Sequence, residues 1–571
     1  MTARAALLGT TGAIAAAMAW TGIASTAFLY GTGLEDRFPY PSWQWWQYLP
    51  YARQNATVGL WLAASAALAT AFIGACAMRV GWDRLRGARP LHGETHWATE
   101  VEAQKAGLTY HREPPGNAFV LGLARGPWGI GRRFVCLGGE EHVSLYARTR
   151  SGKGVSVVVP NALNWGGSLV AFSIKRDLVK DAAAERVRKG QKVFVFDPTN
   201  PDGKSHRWNP LGNVPRGTGC YDAVQRVMQH IIPETKASNP FWDNAARRIA
   251  TAVAVLIAET PDAILNISAV KRLLARSDHD KILREMISNA RVQGRPYPAA
   301  AVDVVLGWLA RAGEEGASGV RDNALTAMAL WDSEVIAAAT ETSDFDLAAL
   351  RHEPMTVFVC AEVADIRRLR PLFSLFFQQL IDFNTRREFT EDPCNRHRLA
   401  VLLDELWSLG ELKIVADASA FTASFGFRML YVVQSKQQLH SIYGREGAEN
   451  LFLNTGAELL FGGADQRLAE EVSKRAGYDT VQDVSTSKPR FMGWLFPSKQ
   501  SENEAARARA LLLPQEVQRL PKDEMLVLRP SLPPLRLSRI KWFSDPWFKR
   551  MAGPAPAVPA LTITVERDKT L

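Results

Sequence analysis

The five cysteines (Cys76, Cys136, Cys220, Cys360, Cys394) stand far apart and form no CxxC pair. That absence argues against a zinc site or a disulfide scaffold and suits a reducing cytosol, with each thiol expected to be a small buried hydrophobe. No internal repeat is visible, which argues against a solenoid. Acidic residues are the scarcer charges: 58 Asp and Glu against 68 Lys and Arg leave a net charge of +10. An anionic partner, nucleic acid or an acidic bilayer surface, would suit that balance, although solvation alone suits it equally. With 47% hydrophobic and 22% charged residues the chain is globular rather than disordered. At 571 residues it is too long for one compact core.

Charge is missing altogether from two stretches near the start, Ala5–Tyr30 and Thr57–Met78. Each reaches the roughly 20 residues a helix needs to cross a bilayer. Between them Tyr40, Trp43, Trp45, Trp46, Tyr48 and Tyr51 form an aromatic segment suited to the membrane–water interface. Arg79, Arg84, Arg86 and Arg89 follow the second stretch, whereas the loop holds Arg37 and Arg53 offset by Glu35 and Asp36. The positive-inside rule therefore places the large C-terminal part in the cytosol. Arg4 and the small residues also permit a cleaved signal peptide, but the first apolar run is long for one.

Beyond this anchor, apolar runs alternate with amphipathic stretches, so a mostly parallel sheet covered by helices is expected. The strand candidates are His142–Tyr146, Ser168–Ile174, Lys192–Phe196, Met355–Val359, Leu399–Leu403, Phe427–Val433 and Glu458–Phe461. Asn164–Gly167 reads as a turn. From about Arg216 to Ala339 only helical patterns appear, with Ser268 a plausible N-cap, so an all-helical insert between two parts of the sheet domain is expected. Extra covering helices without separate function are the alternative. After the aromatic segment Trp542–Phe548, the Pro/Ala stretch Ala555–Ala560 opens what reads as a mobile tail.

The segment Ala147-Arg-Thr-Arg-Ser-Gly-Lys-Gly154 lies between a strand and an apolar helix, the setting a phosphate loop requires. Backbone N–H groups around Ser151, Gly152 and Gly154 can converge on a phosphate, and Lys153 can reach its oxygens. Ala147 and Gly154 depart from G-x-x-x-x-G-K-[ST], the latter removing the hydroxyl that usually holds magnesium. The nucleotide-holding stretch is Thr149, Arg150, Ser151, Gly152, Lys153, Gly154 and Val155. A second piece, Arg398-Leu-Ala-Val-Leu-Leu-Asp-Glu-Leu-Trp, is an apolar strand ending in two carboxylates. Asp404 is placed to hold Mg²⁺ and Glu405 to polarise an attacking water, provided that the strand has just ended. Gln434 ends a third strand, where its amide can meet the γ-phosphate or the lytic water. Together these pieces favour ATP hydrolysis; alone, the carboxylate pair and Gln434 also read as ordinary strand ends, and the loop also admits a purely structural reading.

With loop, acidic strand and glutamine strand in this order, the chain resembles the type IV secretion coupling proteins of the TraG/VirD type. The similar segments include Leu91–Thr99, Thr149–Gly154, Phe196–Pro198, Trp208–Leu211, Asn239–Arg247, Arg368–Phe373, Gln434–Gly444 and Leu513–Met525. The resemblance covers nearly the whole chain, and a lysine followed by glycine is common in that family. It implies an α/β fold: a RecA-like P-loop motor domain with an inserted all-α domain, preceded by two N-terminal transmembrane helices. The expected organisation is an anchor over 1–90, with spans near 5–30 and 57–78 and a short periplasmic loop. A nucleotide-binding domain follows over 91–215 and 340–549, interrupted by the insert 216–339 and ended by a flexible tail, 550–571. The resemblance further implies a homo-hexamer in the bacterial inner membrane, multi-pass, with the ATPase body in the cytoplasm. Its cofactors would be ATP and Mg²⁺; its partners, secretion-channel components and a relaxase–DNA complex (relaxosome) or protein effectors.

By the same resemblance Lys153 is the phosphate lysine, Asp404 the magnesium carboxylate, Glu405 the catalytic base and Gln434 the sensor. Two positions depart from the family pattern. Ser173 precedes Ile174-Lys175 where an acidic residue is common, and Thr422–Phe425 lacks the arginine that in some members reaches a neighbouring subunit; Arg428 is a stand-in candidate. A translocase for protein effectors, or a docking platform that binds nucleotide with little turnover, are the competing readings. A septal DNA pump fits less well, since such pumps usually carry a further C-terminal DNA-reading module.

Overall fold

The computed structural model describes residues 3–34, 43–85, 95–125, 131–174, 176–234, 240–311, 315–487 and 501–563, without side-chain detail for 3–14, 79–85, 125, 315, 479–487 and 501–508. Of the residues singled out above, Glu35, Asp36, Arg37, Tyr40, Arg86, Arg89, Leu91–Glu94, Lys175, Asn239 and 564–571 lie outside that description. So do the side chains of Arg4, Arg79 and Arg84. The chain divides into two units, Met1–Leu91 and His92–Leu571.

In the first unit the helices Ala3–Thr32 and Ala56–Leu85 pack on each other. Both are apolar without a polar face, as expected of helices that no water-facing side shapes. Among the described residues one helix, Ala56–Met78, is long and apolar enough to cross a membrane. The expected first span falls within Ala3–Thr32, part of whose side chains are outside the description. Trp45 is buried and satisfied: its backbone N–H donates to Ser25 Oγ (3.0 Å) and its indole to Ser65 Oγ (3.0 Å). Trp43, Trp46 and Tyr51 are exposed.

The second unit is built on fourteen described strands: β1 Leu108–His111, β2 Phe119–Arg125, β3 Arg132–Leu137, β4 His142–Tyr146, β5 Ser168–Ile174, β6 Lys192–Phe196, β7 Met355–Ala361, β8 Leu399–Leu403, β9 Phe427–Val433, β10 Thr455–Phe461, β11 Tyr478–Ser487, β12 Ser501–Ala510, β13 Glu524–Arg529 and β14 Leu532–Ser538. Twelve of them form one sheet in the order β1-β3-β2-β14-β13-β10-β4-β9-β8-β5-β7-β6, and β11 pairs with β12 alone. From β10 to β6 every pairing is parallel. From β10 outward to β1 every pairing is antiparallel. The expectation of a mostly parallel sheet therefore describes one part of a mixed sheet. Each expected strand is present, with β7 running on to Ala361 and β10 starting earlier, at Thr455.

Burial on both faces explains the continuous apolar runs of the parallel strands. Val170 and Phe172 of β5 enter one core, while Leu169 and Ala171 enter the other. The segment between β6 and β7 contains no strand among its described residues. Its central helix, Pro240–Glu259, is buried throughout Ile249–Ala258, and its core is continuous with that of the sheet. The helix beginning at Ile267 is capped by Asn266, whose side chain accepts from the Ala269 N–H; the expected cap, Ser268, sits inside the helix. A cap must precede the first helical residue in extended geometry, and Asn266 does so at φ −149° and ψ 168°.

The Pro/Ala stretch is tied down as far as it is described, unlike the flexible tail expected from residue 550. Ser205 N–H donates to Pro559 O (3.0 Å), Leu561 N–H to Gly203 O (2.7 Å), and the Arg188 guanidinium to the carbonyls of Arg550, Met551 and Ala552. Cys136, Cys220 and Cys360 are buried as expected, whereas Cys76 and Cys394 are exposed.

Candidate functional site

At the carboxyl ends of β4, β9 and β8, three neighbouring strands, the chain leaves the sheet through Ala147, Gln434 and Asp404 in turn. Ala147 still follows β4, its N–H donating to Val433 O (3.0 Å), and its side chain is buried. Its φ is not positive, so this position does not call for a glycine. The turn itself is made by Arg150 (φ 59°) and Gly152 (φ 83°), after which Lys153 adopts helical angles. A π-helical turn, Gly154–Val158, then leads into the helix Val159–Asn164. N–H groups presented on such alternating left- and right-handed backbone form an anion-binding concavity.

β8 stops at Leu403, so the alternation that would send adjacent carboxylates to opposite faces is broken there. Both meet Lys153. Its Nζ lies 2.8 Å from Glu405 Oε1, donates to Asp404 O at 2.9 Å, and stands 3.8 Å from Asp404 Oδ1. Asp404 Oδ1 makes no hydrogen bond. Burial pushes the Asp404 carboxyl up to about 6, and the nearby ammonium of Lys153 offsets only part of that. Thr149 Oγ1 donates to Gln434 Oε1 at 3.0 Å, joining the loop to the tip of β9.

Thr149, Arg150, Gly152, Lys153, Gly154, Val155, Asp404, Glu405 and Gln434 line one cavity of about 850 Å³. Of the residues expected from sequence, Ser151 alone is not on its wall. Ser173 lines it too, with its hydroxyl turned onto the carbonyl of Ile174 (3.5 Å). Arg428 lies elsewhere, at the start of β9. It is fully buried, donating to the carbonyls of Glu141, Asn117 and Leu137 and resting 4.6 Å from the Phe119 ring, so it is no candidate for reaching another subunit.

Sequence reasoning missed several residues here. Asp177, Lys180, Asp181, Arg367 and Arg370 line the cavity. Arg370, whose Nε donates to Ser408 O (3.2 Å), lies in the Arg368–Phe373 segment and was legible at least as part of a motif. Arg539 carried no such signal. From just beyond β14 it donates through Nη2 to Ser151 O, through Nε and Nη2 to Ser156 Oγ (3.2 and 3.1 Å), and through Nη1 to Lys522 O (2.9 Å).

Among the described residues no group of three or more His, Cys, Asp or Glu side chains is placed to hold a metal by itself. A lone carboxylate beside a phosphate cradle still suits magnesium, which keeps most of its ligands as water and phosphate oxygens.

A family model described as Type IV secretory system Conjugative DNA transfer matches residues 96–564. A Conjugal transfer protein TraG of Escherichia coli is 30% identical over 520 residues, covering 82% of this chain and 79% of that protein. A Protein VirD4 of Rhizobium radiobacter is 28% identical over 464 residues, covering 81% of this chain; the chain spans 65% of that relative's length. Among solved structures, the bacterial conjugative coupling protein TrwBdeltaN70 in its unbound monoclinic form aligns with a TM-score of 0.55 at 17% identity, over 81% of this chain and 97% of that one. TrwB in complex with a non-hydrolysable ATP analogue aligns at 0.56 and 17%, over 84% and 98%. At that identity the likeness is one of fold.

Proposed function

Because the chain belongs to the Type IV secretory system conjugative DNA transfer family, we propose that it is an inner-membrane coupling ATPase that recruits a DNA–relaxase complex and delivers it to a type IV secretion channel. The observation that carries the reading is the Lys153 ammonium held 2.8 Å from Glu405 at the carboxyl edge of the sheet, beside a loop shaped for an anion. The TrwB complexes with ADP and Mg²⁺ and with an ATP analogue lend support for the nucleotide.

In this proposal the N–H groups of Thr149–Val155 take the phosphates of ATP. Lys153 exchanges its carboxylate partners for phosphate oxygens, which releases Glu405. Glu405 then accepts a proton from the water that attacks the γ-phosphorus, the bond to the bridging oxygen breaks, and ADP and phosphate result. Asp404 suits magnesium: its Oδ1 lacks a hydrogen bond and its carboxyl is disfavoured as an anion, a condition a divalent cation reverses. Bound there, magnesium would offset the charge of the phosphate oxygens. Gln434, its oxygen engaged by Thr149, has its NH₂ as the end that can report a γ-phosphate.

Two spans, near 5–30 and 57–78, would anchor a six-membered ring whose motor parts (91–215 and 340–549) face the cytoplasm. The helical segment 216–339 would select the cargo. The full-length protein in detergent should hydrolyse ATP faster with DNA at low salt, where phosphate contacts are strongest. Glu405→Gln should retain ATP while losing turnover. Absence of DNA binding at low salt would sink the DNA cargo in favour of protein effectors. Binding of ATP by the wild type without turnover would leave only a docking platform.

A further inference from the structure

Arg539 lies 383 residues from Ser156 in sequence and 388 from Ser151, yet its guanidinium joins both. Its remaining bond, to Lys522 O at 2.9 Å, ties it to the antiparallel flank of the sheet, and the group rests 3.7 Å above the Phe461 ring at the end of β10. Nε and Nη2 fork onto Ser156 Oγ while Nη2 and Nη1 also reach Ser151 O and Lys522 O, a spread of donors on a fixed planar frame that a guanidinium supplies and an ammonium does not. Gly152 closes the arrangement from the loop side. A Cβ on it would stand 2.7 Å from Arg539 Nη2, and its φ of +83° already disfavours any other residue.

The bond to Ser151 O has a geometric result. In a trans peptide the carbonyl of one residue and the N–H of the next point in opposite directions. With Ser151 O drawn to Arg539, the Gly152 N–H must point away from Arg539. Gly152 lines the nucleotide cavity, whereas Ser151 and Arg539 do not, so the residue that bears this N–H stands on the cavity wall. Glycine leaves this peptide free to turn over, and a turned peptide would offer a carbonyl to an incoming phosphate.

We propose that Arg539 is a positioning residue for nucleotide: it pins the Ser151–Gly152 peptide so that an N–H, not a carbonyl, faces the phosphates. Ser156 is the second anchor. Its hydroxyl is buried under Arg539 and therefore does not replace the hydroxyl lost at Gly154.

The inference rests on the cavity being a nucleotide site, and the test separates the two. Equilibrium binding of a fluorescent N-methylanthraniloyl derivative of ATP, and steady-state turnover, are measured on the full-length protein in detergent. Arg539→Ala is expected to raise Kd and KM about tenfold or more while kcat at saturation stays within about threefold. Arg539→Lys is expected to fall between, at least about threefold weaker than wild type. Adding Ser156→Ala to Arg539→Ala should cost little more, because both act through one linkage. Unchanged Kd in the Lys variant or the Ala variant, or a loss confined to kcat, overturns the proposal. Should the Ala variant not fold, the Lys variant decides. A wild-type protein that binds no nucleotide would instead refute the site itself, and this proposal with it.

Discussion

The two edges of the parallel sheet handle buried charge in opposite ways. At the amino edge, Arg186 is wholly buried and donates to Ala162 O, Trp165 O, Gly167 O, Gln191 Oε1 and Thr356 Oγ1. Arg428 does the same with three further backbone carbonyls, and Lys189 caps the helix Val159–Asn164 through Asn164 O at 2.8 Å. These cations replace the water that strand starts and helix ends would otherwise need. At the carboxyl edge, Lys153 is paired with carboxylates, and oxygens are left over: Asp404 Oδ1 and Asp197 Oδ1 make no hydrogen bond. Saturated cations hold a fold together, whereas unsaturated carboxylates keep an edge ready for a cation or a phosphate-bound partner.

The contrast can be broken first at its stable end. Arg186→Met should cost about 3–5 kcal/mol in a urea unfolding series, since removing one partner leaves buried acceptors unpaired. Nucleotide affinity of the folded fraction should stay near wild type.

Acid should act on the same edge. Burial, with repulsion from Arg428, lowers His142 from 6.5 to about 4. Its Nδ1 accepts from the Met429 N–H (3.3 Å), so a proton there displaces a bond of the β4–β9 seam. A depressed histidine pKa means the unfolded chain binds the extra proton. Its contribution is therefore full above pH 6.5 and lost as pH falls towards 4, about 3 kcal/mol in all. Denaturation midpoints at pH 7 and pH 5 should show about 2 kcal/mol of this drop, and His142→Asn should flatten it.

At the carboxyl edge the expected pattern reverses. Lys153→Ala should lower ATP turnover about a hundredfold or more, some 2.7 kcal/mol in barrier. Its unfolding midpoint should move far less than that of Arg186→Met. The smallest change sharpens the contrast further. Space is open where a Cβ on Gly154 would stand, so Gly154→Ser should fit and stabilise by about 0.5 kcal/mol through helix propensity. A tighter magnesium requirement in turnover assays would accompany it if the new hydroxyl reaches the metal.

Much of the parallel half was legible because strands buried on both faces must be written as unbroken apolar runs, as in Leu399–Leu403. The flank was not. β1 is four residues long and half-covered, and β14 carries two prolines, a composition that argues against a strand except near edges and bulges. Within the site, Asp404, Glu405 and Gln434 sat at strand ends, and Lys153 in the loop between strand and helix, places that pattern alone could mark. Arg539 could not be found that way, since its partners are a backbone carbonyl and a serine hundreds of residues away. The Pro/Ala stretch misled for a related reason: its anchors are backbone groups and the distant Arg188, which composition does not register.

The bonds of Arg539 also bear on how transferable such a loop is. Ala147–Gly154 is not a cassette. Grafted alone into another strand–helix junction, it would bring its left-handed turns but leave behind the guanidinium that meets Ser151 and, just past the graft, Ser156. A graft intended to work would need a second insertion from the opposite end of the chain, and a scan confined to the octapeptide would judge the loop poorer than it is.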